Sequence, residues 1–482
     1  MSNQLASPLA AAPDSPARGA QQPGRLALLV MLSGTFMVVL DFFIVNVALP
    51  ALQSDLHASA GTVQMVVAGY GLANAAGLIT GGRLGDLFGR RRMFMLGLLL
   101  FTLASLACGL APNGEFLVAA RVLQGMAGAV MQPQVLAMIG LVYTGESRAR
   151  AFGAYGLTLG LGAALGQLIG GVLIHLDIAQ LGWRSCFLIN IPIGIAGLLL
   201  APRFIPPLAN TGTSRLDLVG MLLAAAGSVA VVLPLVEGRQ RGWPLWSVAM
   251  LAAALPLLAL FAWHQRRLAA RGGAPLVAPA LLSHRRFVQG LLATLAFYVG
   301  NASLYFVLAL YLQQGLHIEP MHSGLVFTSM AVGFFLASLG SARLARRFGG
   351  APIARGALLL AFGHALQLAD VLWGGEHLMA WMVPILFVQG LGLGVVMAPL
   401  VSAVLAGLPP QHAGVASGVL AMVQQTGNAL GVALIGLLFY GQLHGAATAA
   451  AYGDAFAASL VYLTASALLV AVLYRRLVRT AA

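Results

Sequence analysis

The chain has 482 residues, of which 60% are hydrophobic and only 8% charged, with a mean hydropathy of +0.90. A soluble protein of this length needs about a quarter of its residues charged, so the composition excludes that class and indicates a polytopic membrane protein. The net charge of +13 does not indicate nucleic acid, because the 26 basic residues, all arginine, fall between apolar stretches and not on one domain.

In chain order, residues 1–24 are rich in Ala, Pro, Ser and Gln and are expected to form a disordered cytoplasmic N-terminus. The apolar run that follows, Leu26 to Leu49, exceeds a signal-peptide core of roughly 7–15 residues and suffices for one membrane crossing. Further candidate spans lie at 62–82, 93–111, 116–142, 150–174, 186–205, 217–236, 245–263, 288–312, 322–342, 352–373, 378–405, 415–440 and 456–474, fourteen in all. Positive charge orients them. With the N-terminus inside, the inner segments hold Arg18, Arg25, Arg83, Arg90, Arg91, Arg92, Arg148, Arg150, Arg203 and Arg215 in the first half of the chain. In the second half they hold Arg266, Arg267, Arg271, Arg285, Arg286, Arg343, Arg346, Arg347, Arg355, Arg475, Arg476 and Arg479. The outer segments hold only Arg184, Arg239 and Arg241, so both termini are expected in the cytoplasm. Cys108 and Cys186 offer neither a disulfide framework nor a metal-ligand spacing.

The two halves repeat. Arg83-Leu84-Gly85-Asp86-Leu87-Phe88-Gly89 after span 2 aligns with Arg343-Leu344-Ala345-Arg346-Arg347-Phe348-Gly349 after span 10. Gly128 to Pro133 in span 4 aligns with Gly394 to Pro399 in span 12, and Gly162 to Gly166 in span 5 with Gly427 to Gly431 in span 13. The offset is nearly constant and equals eight spans. The organisation is therefore an N-terminal six-helix bundle (25–205), a linker with spacer spans 7 and 8 (206–287), a C-terminal six-helix bundle (288–475) and a cytoplasmic tail (476–482). Repeated bundles with a site between them are a recurring transporter plan.

The loop Gly82-Arg83-Leu84-Gly85-Asp86-Leu87-Phe88-Gly89-Arg90-Arg91-Arg92 resembles the signature loop of the major facilitator superfamily. Leu40-Asp41-Phe42-Phe43-Ile44-Val45-Asn46-Val47-Ala48-Leu49-Pro50 is similar to the first-helix motif of its fourteen-helix drug:proton antiporters, and Arg121-Val122-Leu123-Gln124-Gly125 to their proton-relay motif. Trp183-Arg184 with Phe187, Ile189, Asn190, Pro192 and Gly194 matches the entry to their sixth helix. The resemblance covers residues 26 to 475. It implies an all-α integral membrane protein of the major facilitator fold, with two six-helix bundles and two extra helices, working as a multidrug efflux antiporter in a bacterial inner membrane. Two positions depart from the pattern: Gln167 follows Gly166 where a proline is usual, and Met65 stands where a tryptophan precedes Tyr70. The proline is the feature associated with antiport, so the direction of transport rests on the other motifs.

Asp41 is the only charge in the first apolar run, at an insertion cost of roughly 2.5–3.5 kcal/mol. Protonation relieves that cost, which is what a proton-coupled machine needs. Counting about 1.5 Å per residue puts Asp41 and Arg121 within about one turn of the same depth, so they are expected to pair and to couple protons. A static ion pair in a packed core is the plainer alternative. The second unit carries no counterpart: Phe387 matches Arg121, and His364 and Asp370 read as a packing residue and an interfacial carboxylate, so proton chemistry is expected in the first bundle alone.

Gly82, Asp86, Gly89, Arg90 and Arg91 are expected to form a conformational latch, with topology alone as the alternative. Gly162, Gly166, Gly170, Gly427 and Gly431 are expected to bring helices close together. Polar residues in spans tend to face the interior, so the substrate cavity is expected to use Asn46, Tyr70, Asn74, Gln124, Gln134, Tyr155, Tyr298, Asn301, Tyr305, Gln389 and Gln425. A single acidic charge favours lipophilic monocations or neutral molecules over divalent cations. No nucleotide loop, metal cluster or nucleophile–base set is present, so no enzyme activity and no cofactor is expected, the drive being the proton gradient. The expected partners are a small-molecule substrate, protons and the lipid bilayer, with no nucleic acid. A dedicated metabolite exporter, a proton symporter of the same fold and a non-transporting receptor or scaffold are the alternatives.

Overall fold

The computed structural model describes residues 24–208, 217–238, 241–273, 275–277, 279–348, 352–405, 413–443 and 448–479. The expected N-terminal extension, the last residues of the tail, and Arg215, Arg239 and Gly349 lie outside these. Among the described residues every regular element is helical. In chain order they are α1 (Arg25–Asp55), α2 (Ala60–Phe88), α3 (Arg90–Gly109), α4 (Gly114–Val142), α5 (Gly145–Leu176), the short α6 (Ser185–Leu188) running into α7 (Asn190–Phe204), α8 (Leu218–Glu237) and α9 (Leu245–Ala270). There follow a short α10 (Pro279–Ser283), α11 (Arg285–Leu310), α12 (Pro320–Phe348), α13 (Pro352–Trp373), α14 (Leu378–Leu405), α15 (Ala413–Leu443) and α16 (Ala449–Arg479). Thirteen are long and apolar enough to cross a membrane, and α2, bent by 46° between Leu78 and Thr80, makes a fourteenth when its two parts count as one span.

Local sequence accounts for the element ends. Asn113 accepts a hydrogen bond from the Phe116 amide at 2.8 Å and caps α4, and Ser59 caps α2 through the Thr62 amide at 3.1 Å. Between α2 and α3 the chain turns on one residue, Gly89, at φ +95°, a backbone conformation that costs a side chain dearly. At the other membrane face Asp55 ends α1 and accepts from Trp183 Nε1 at 3.0 Å and Arg184 Nη1 at 2.6 Å, which ties the first helix to the entry of the sixth span.

The glycines set the closest approaches. A methyl group at Gly166 would stand 3.1 Å from the Ile44 amide and 3.2 Å from the Leu40 carbonyl, so α5 lies directly against the backbone of α1, with Gly162 and Gly170 on the same contact. Gly427 and Gly431 bring α15 against Leu295 and Val299 of α11 in the same way. The pairs α1–α5 and α11–α15 are thus the same joint built twice. The joint lies at the centre: 78% of the apolar window is buried in both α1 and α11, against 11% in α9, which faces the lipid.

The two bundles meet along α5–α12 and α2–α15. The described contacts gather at the end away from the arginine-rich loops. Gln64 Nε2 donates to the Val432 and Ala433 carbonyls at 2.9 and 3.3 Å, Gln314 Nε2 to Gln53 Oε1 at 3.0 Å, and Gly324 backs onto the Gln167 carbonyl. Phe43 of α1 meets Tyr305 of α11 across the bundles with ring centroids 4.6 Å apart and tilted, and Tyr305 stacks on Phe327 of α12 at 5.7 Å.

The spacer helices α8 and α9 lie beside the α2–α15 seam and are clipped at the arginine-rich end. Asp217 caps α8 through the Gly220 amide at 2.8 Å and also meets His264 Nε2 and Gln265 Nε2, both at 2.7 Å. Gln265 Oε1 then accepts from the Val277 amide at 3.1 Å, and Arg83 donates to the Pro275 carbonyl at 3.0 Å. Burial alone would raise the Asp217 carboxyl, but the Gly220 amide, His264 and Gln265 outweigh it and hold it below the usual carboxylate range.

Two outcomes follow from this packing. Gly431→Leu, pressed against the Val299 backbone, should destabilise the detergent-solubilised protein by about 1–3 kcal/mol in thermal unfolding, whereas Gly153→Leu, with open space around it, should not. The Asp217 clip should contribute its full stability above the carboxyl's unfolded value and lose it as pH falls through the lowered folded value. Protection factors at Leu218–Met221, corrected for the intrinsic pH dependence of amide exchange, should therefore fall on acidification in the wild type and be nearly independent of pH in Asp217→Asn.

Candidate functional site

Asp41 and Arg121 face each other inside the first bundle with neither side chain exposed to solvent. Arg121 Nη1 donates to Asp41 Oδ2, and the other carboxylate oxygen accepts from Gln124 Nε2 and Asn190 Nδ2, both at 2.8 Å. The guanidinium also donates to Gln124 Oε1 at 2.8 Å and, through Nε, to the Val66 carbonyl at 2.9 Å. Ser105 Oγ accepts from Gln124 at 3.1 Å and Asn190 at 3.0 Å and donates to the Phe187 carbonyl at 2.8 Å. Helices α1, α2, α3, α4, α6 and α7 all supply part of this network. Removing one partner of so enclosed a pair leaves an uncompensated charge, which costs far more than the pair itself gains.

Aromatic rings close the site. Arg121 lies 4.2 Å above the Tyr70 ring and 5.6 Å from that of Phe187. The Tyr70 hydroxyl donates to the Val38 carbonyl at 3.0 Å. Val38 and Phe42 belong to the wall of a second feature, a narrow cavity between the bundles. Its lining is aromatic and amide-rich, with Phe42, Phe43, Tyr155 and Tyr298 on one hand and Gln132, Asn301, Gln424, Gln425 and Asn428 on the other. No charged side chain lines it among the described residues. Gln425 Nε2 reaches across to Gln132 Oε1 at 3.4 Å. Asp41 is thus one layer behind the cavity wall and joined to it through Arg121, Tyr70 and Val38.

Of the residues expected in the cavity, Tyr155, Tyr298, Asn301 and Gln425 line it. The others stand elsewhere. Asn46 donates to its own helix at the Phe42 and Phe43 carbonyls. Tyr70 and Gln124 serve the ion pair, and Tyr305 is held between Phe43 and Phe327. Asn74 is buried against Gly128 between α2 and α4. Gln134 donates to the Gly81 carbonyl at 2.6 Å and fixes the bent end of α2, and Gln389 donates to Gln367 Oε1 at 2.6 Å inside the second bundle. Gln132, Gln424 and Asn428 belong to the lining but were not among the expected residues. They carry the same signal, an amide in a span, and only helix rotation separates them from Gln389 or Gln134. Ser105 and Asn190 likewise join the ion-pair network. Asn190 stands in the sixth-helix motif, while Ser105 has no distinguishing sequence signal.

The expected latch residues gather at the α2–α3 turn. Arg90 Nη2 donates to Asp86 Oδ1 at 2.5 Å, one turn away, and Arg91 Nη1 donates to the Ile205 and Pro202 carbonyls at 3.0 and 3.3 Å at the end of α7. Gly82 faces Pro133 of α4 and Gly89 makes the turn. These pairs lie within the first bundle. Gln167 donates to the Phe43 carbonyl at 3.1 Å, so the residue that replaces the usual proline binds α5 to α1. Asp370 is a correction: it is buried at 6% exposure, not an exposed interfacial carboxylate.

A family model for the Major Facilitator Superfamily matches residues 31–432. A probable actinorhodin transporter of Streptomyces coelicolor is 41% identical over 441 residues, 91% of this chain and 76% of that protein. A cephamycin export protein of Amycolatopsis lactamdurans is 34% identical over 95% of both chains, and a puromycin resistance protein of Streptomyces alboniger is 38% identical over 89% of this chain and 83% of its own. Among solved structures, a POT family transporter in complex with 5-aminolevulinic acid superposes at TM-score 0.67 with 14% identity, covering 94% of this chain and 96% of that one.

The enclosure of the ion pair has a measurable consequence. Arg121→Leu strands the carboxylate and should cost about 3–5 kcal/mol. Adding Asp41→Asn should recover part of that loss in thermal unfolding. Purely additive losses would mean that the two charges do not interact.

Proposed function

Because the chain belongs to the major facilitator superfamily, and is therefore a transporter and not an enzyme, we propose that it is a proton-coupled antiporter exporting amphipathic small molecules across a bacterial inner membrane. Both termini then lie in the cytoplasm, on the side of the arginine-rich loops. The relatives that export or confer resistance to antibiotics support efflux. The observation that carries the coupling is Asp41, a carboxylate fully buried against Arg121 one layer behind the cavity.

The physical sequence begins with a proton on Asp41. A neutral carboxyl no longer balances the guanidinium, so Arg121 turns toward its remaining acceptors, Gln124 and the Val66 carbonyl. Tyr70, stacked beneath it, shifts with the charge, and its hydroxyl pulls on the Val38 carbonyl in the cavity wall. Proton state and cavity shape are coupled by that chain of contacts, which is a differential interaction of the kind a population shift requires. Among the described residues the hydrogen bonds at the ends of the two bundles join them on the side away from the arginines, which supports a conformation with its cavity toward the cytoplasm. An uncharged wall of rings and amides suits flat, neutral or singly cationic molecules with several carbonyl or hydroxyl groups.

Proteoliposomes with an imposed pH gradient and a panel of lipophilic cations and neutral polycyclic compounds test the reading. Substrate movement should be linked to opposed proton movement, and Asp41→Asn should reduce that linked flux at least about tenfold. Undiminished linked flux in Asp41→Asn would sink the coupling role, and uptake along the proton gradient would make the protein a symporter.

A further inference from the structure

The second bundle has no counterpart of Asp41 or Arg121, yet it contains a buried polar line of its own. His364, Gln367 and Asp370 share one face of α13 at three-residue spacing, spanning about 9 Å. Their exposures are 3%, 0% and 6%. Gln389 of α14, fully buried, donates from Nε2 to Gln367 Oε1 at 2.6 Å and to the Gly363 carbonyl at 3.2 Å.

The line is incompletely satisfied by protein. Both ring nitrogens of His364, Nε2 of Gln367, Oε1 of Gln389 and both carboxylate oxygens of Asp370 find no hydrogen-bond partner among the described residues. The backbone of Leu463 is the one protein group among the described residues that interacts with the imidazole, as a weak hydrogen-bond partner. Consecutive buried donors and acceptors left unpaired in this way are places where ordered water belongs. His364 lines a small cavity inside the second bundle, bounded by α11, α12, α13, α14 and α16, with room for about one water molecule. Asn301 borders this cavity and the central one alike, and its Oδ1 is also unpartnered. At the other end Asp370 stands one turn from the exposed Trp373 and beside the turn that joins α13 to α14.

We propose that this line is a second proton site, a water-filled path from Asp370 through Gln367 and Gln389 to His364, opening through Asn301 on the central cavity. A hydronium ion at the α13–α14 turn gives its proton to the Asp370 carboxylate and leaves as water. Water held by the two amides carries a proton on to a ring nitrogen of His364. α14 has no titratable side chain, α16 brings the phenols Tyr452 and Tyr462, and the turn after α11 brings Tyr311, the phenol that feels Asp370 electrostatically. His377 and Asp454 are exposed, and His322 pairs with Glu319 at the surface, 3.6 Å apart. The proton role rests on the transport reading above, whereas the presence of water does not.

Radiolytic hydroxyl-radical labelling of the full chain in bilayers tests the water path directly. Met330 lines the His364 cavity at 1% exposure, and Met131, at 0%, is packed against Gly34 and Gly97 in the first bundle. Met330 should oxidise at least about tenfold faster than Met131, since radicals form only where water is. In proteoliposomes, His364→Gln and Asp370→Asn should each lower the number of protons moved per substrate at least twofold while the Asp41 network is intact. A Met330 rate equal to that of Met131, or an unchanged proton-to-substrate ratio, overturns the proposal. If the wild type moves no substrate at all, the antiporter reading fails instead, and the labelling alone decides this one.

Discussion

The ion pair between Asp41 and Arg121 is the constraint on which the first bundle depends. Two charges without access to water need hydrogen-bond partners, and here those partners come from six different helices, with Arg121 Nη2 left without one among the described residues. Ser105, Gln124 and Asn190 are positions at which an apolar residue would strand a charge. Their chemistry therefore fixes the mutual rotation of α1, α3, α4 and α7 more tightly than apolar packing does, because packing tolerates small shifts and a buried charge does not.

The glycine joints supply the complementary property. At α1–α5 and α11–α15 backbones meet without side chains between them, so the contact resists separation but offers few interlocking groups against sliding. The seams between bundles are made differently, from single amide hydrogen bonds such as Gln64 to Val432 and Gln53 to Gln314 and from the Phe43–Tyr305–Phe327 cluster. Such contacts are individually modest and can be exchanged for others. Close joints inside each bundle and exchangeable contacts between them are what rocking about a central site requires.

Much of this was legible in the sequence, for physical reasons that also mark the boundary. Lipid demands long apolar helices, so the spans could be read from hydropathy, and the arginines between them indicated one common end. A charge in a span is so costly that Asp41 had to have a partner, and depth along the helices pointed to Arg121. Amides carry no such compulsion. Gln124, Gln134, Gln389 and Gln425 look alike in a sequence, yet one serves the ion pair, one fixes the bend of α2, one lies in the second bundle and one lines the cavity. Helix rotation decides among them, and rotation is set by packing partners distant in sequence. Asp370 failed for the related reason that nearness to a helix end does not determine which face a residue takes.

Gln167 shows how a departure from a family pattern can relocate a function. A proline at this position would remove a backbone donor and loosen the helix locally. Glutamine keeps α5 continuous and spends its side chain on the Phe43 carbonyl, two residues beyond Asp41. The carbonyl of Gln167 meanwhile faces Gly324 of α12, across the seam between the bundles. One residue therefore touches both the moving seam and the helix that carries the buried carboxylate. Gln167 thus adds a hydrogen bond to the glycine-packed contact of α5 with α1, close to the buried carboxylate. Where the family pattern places a flexible point, this chain has a tie, and the tie joins the seam between the bundles to the helix that carries Asp41.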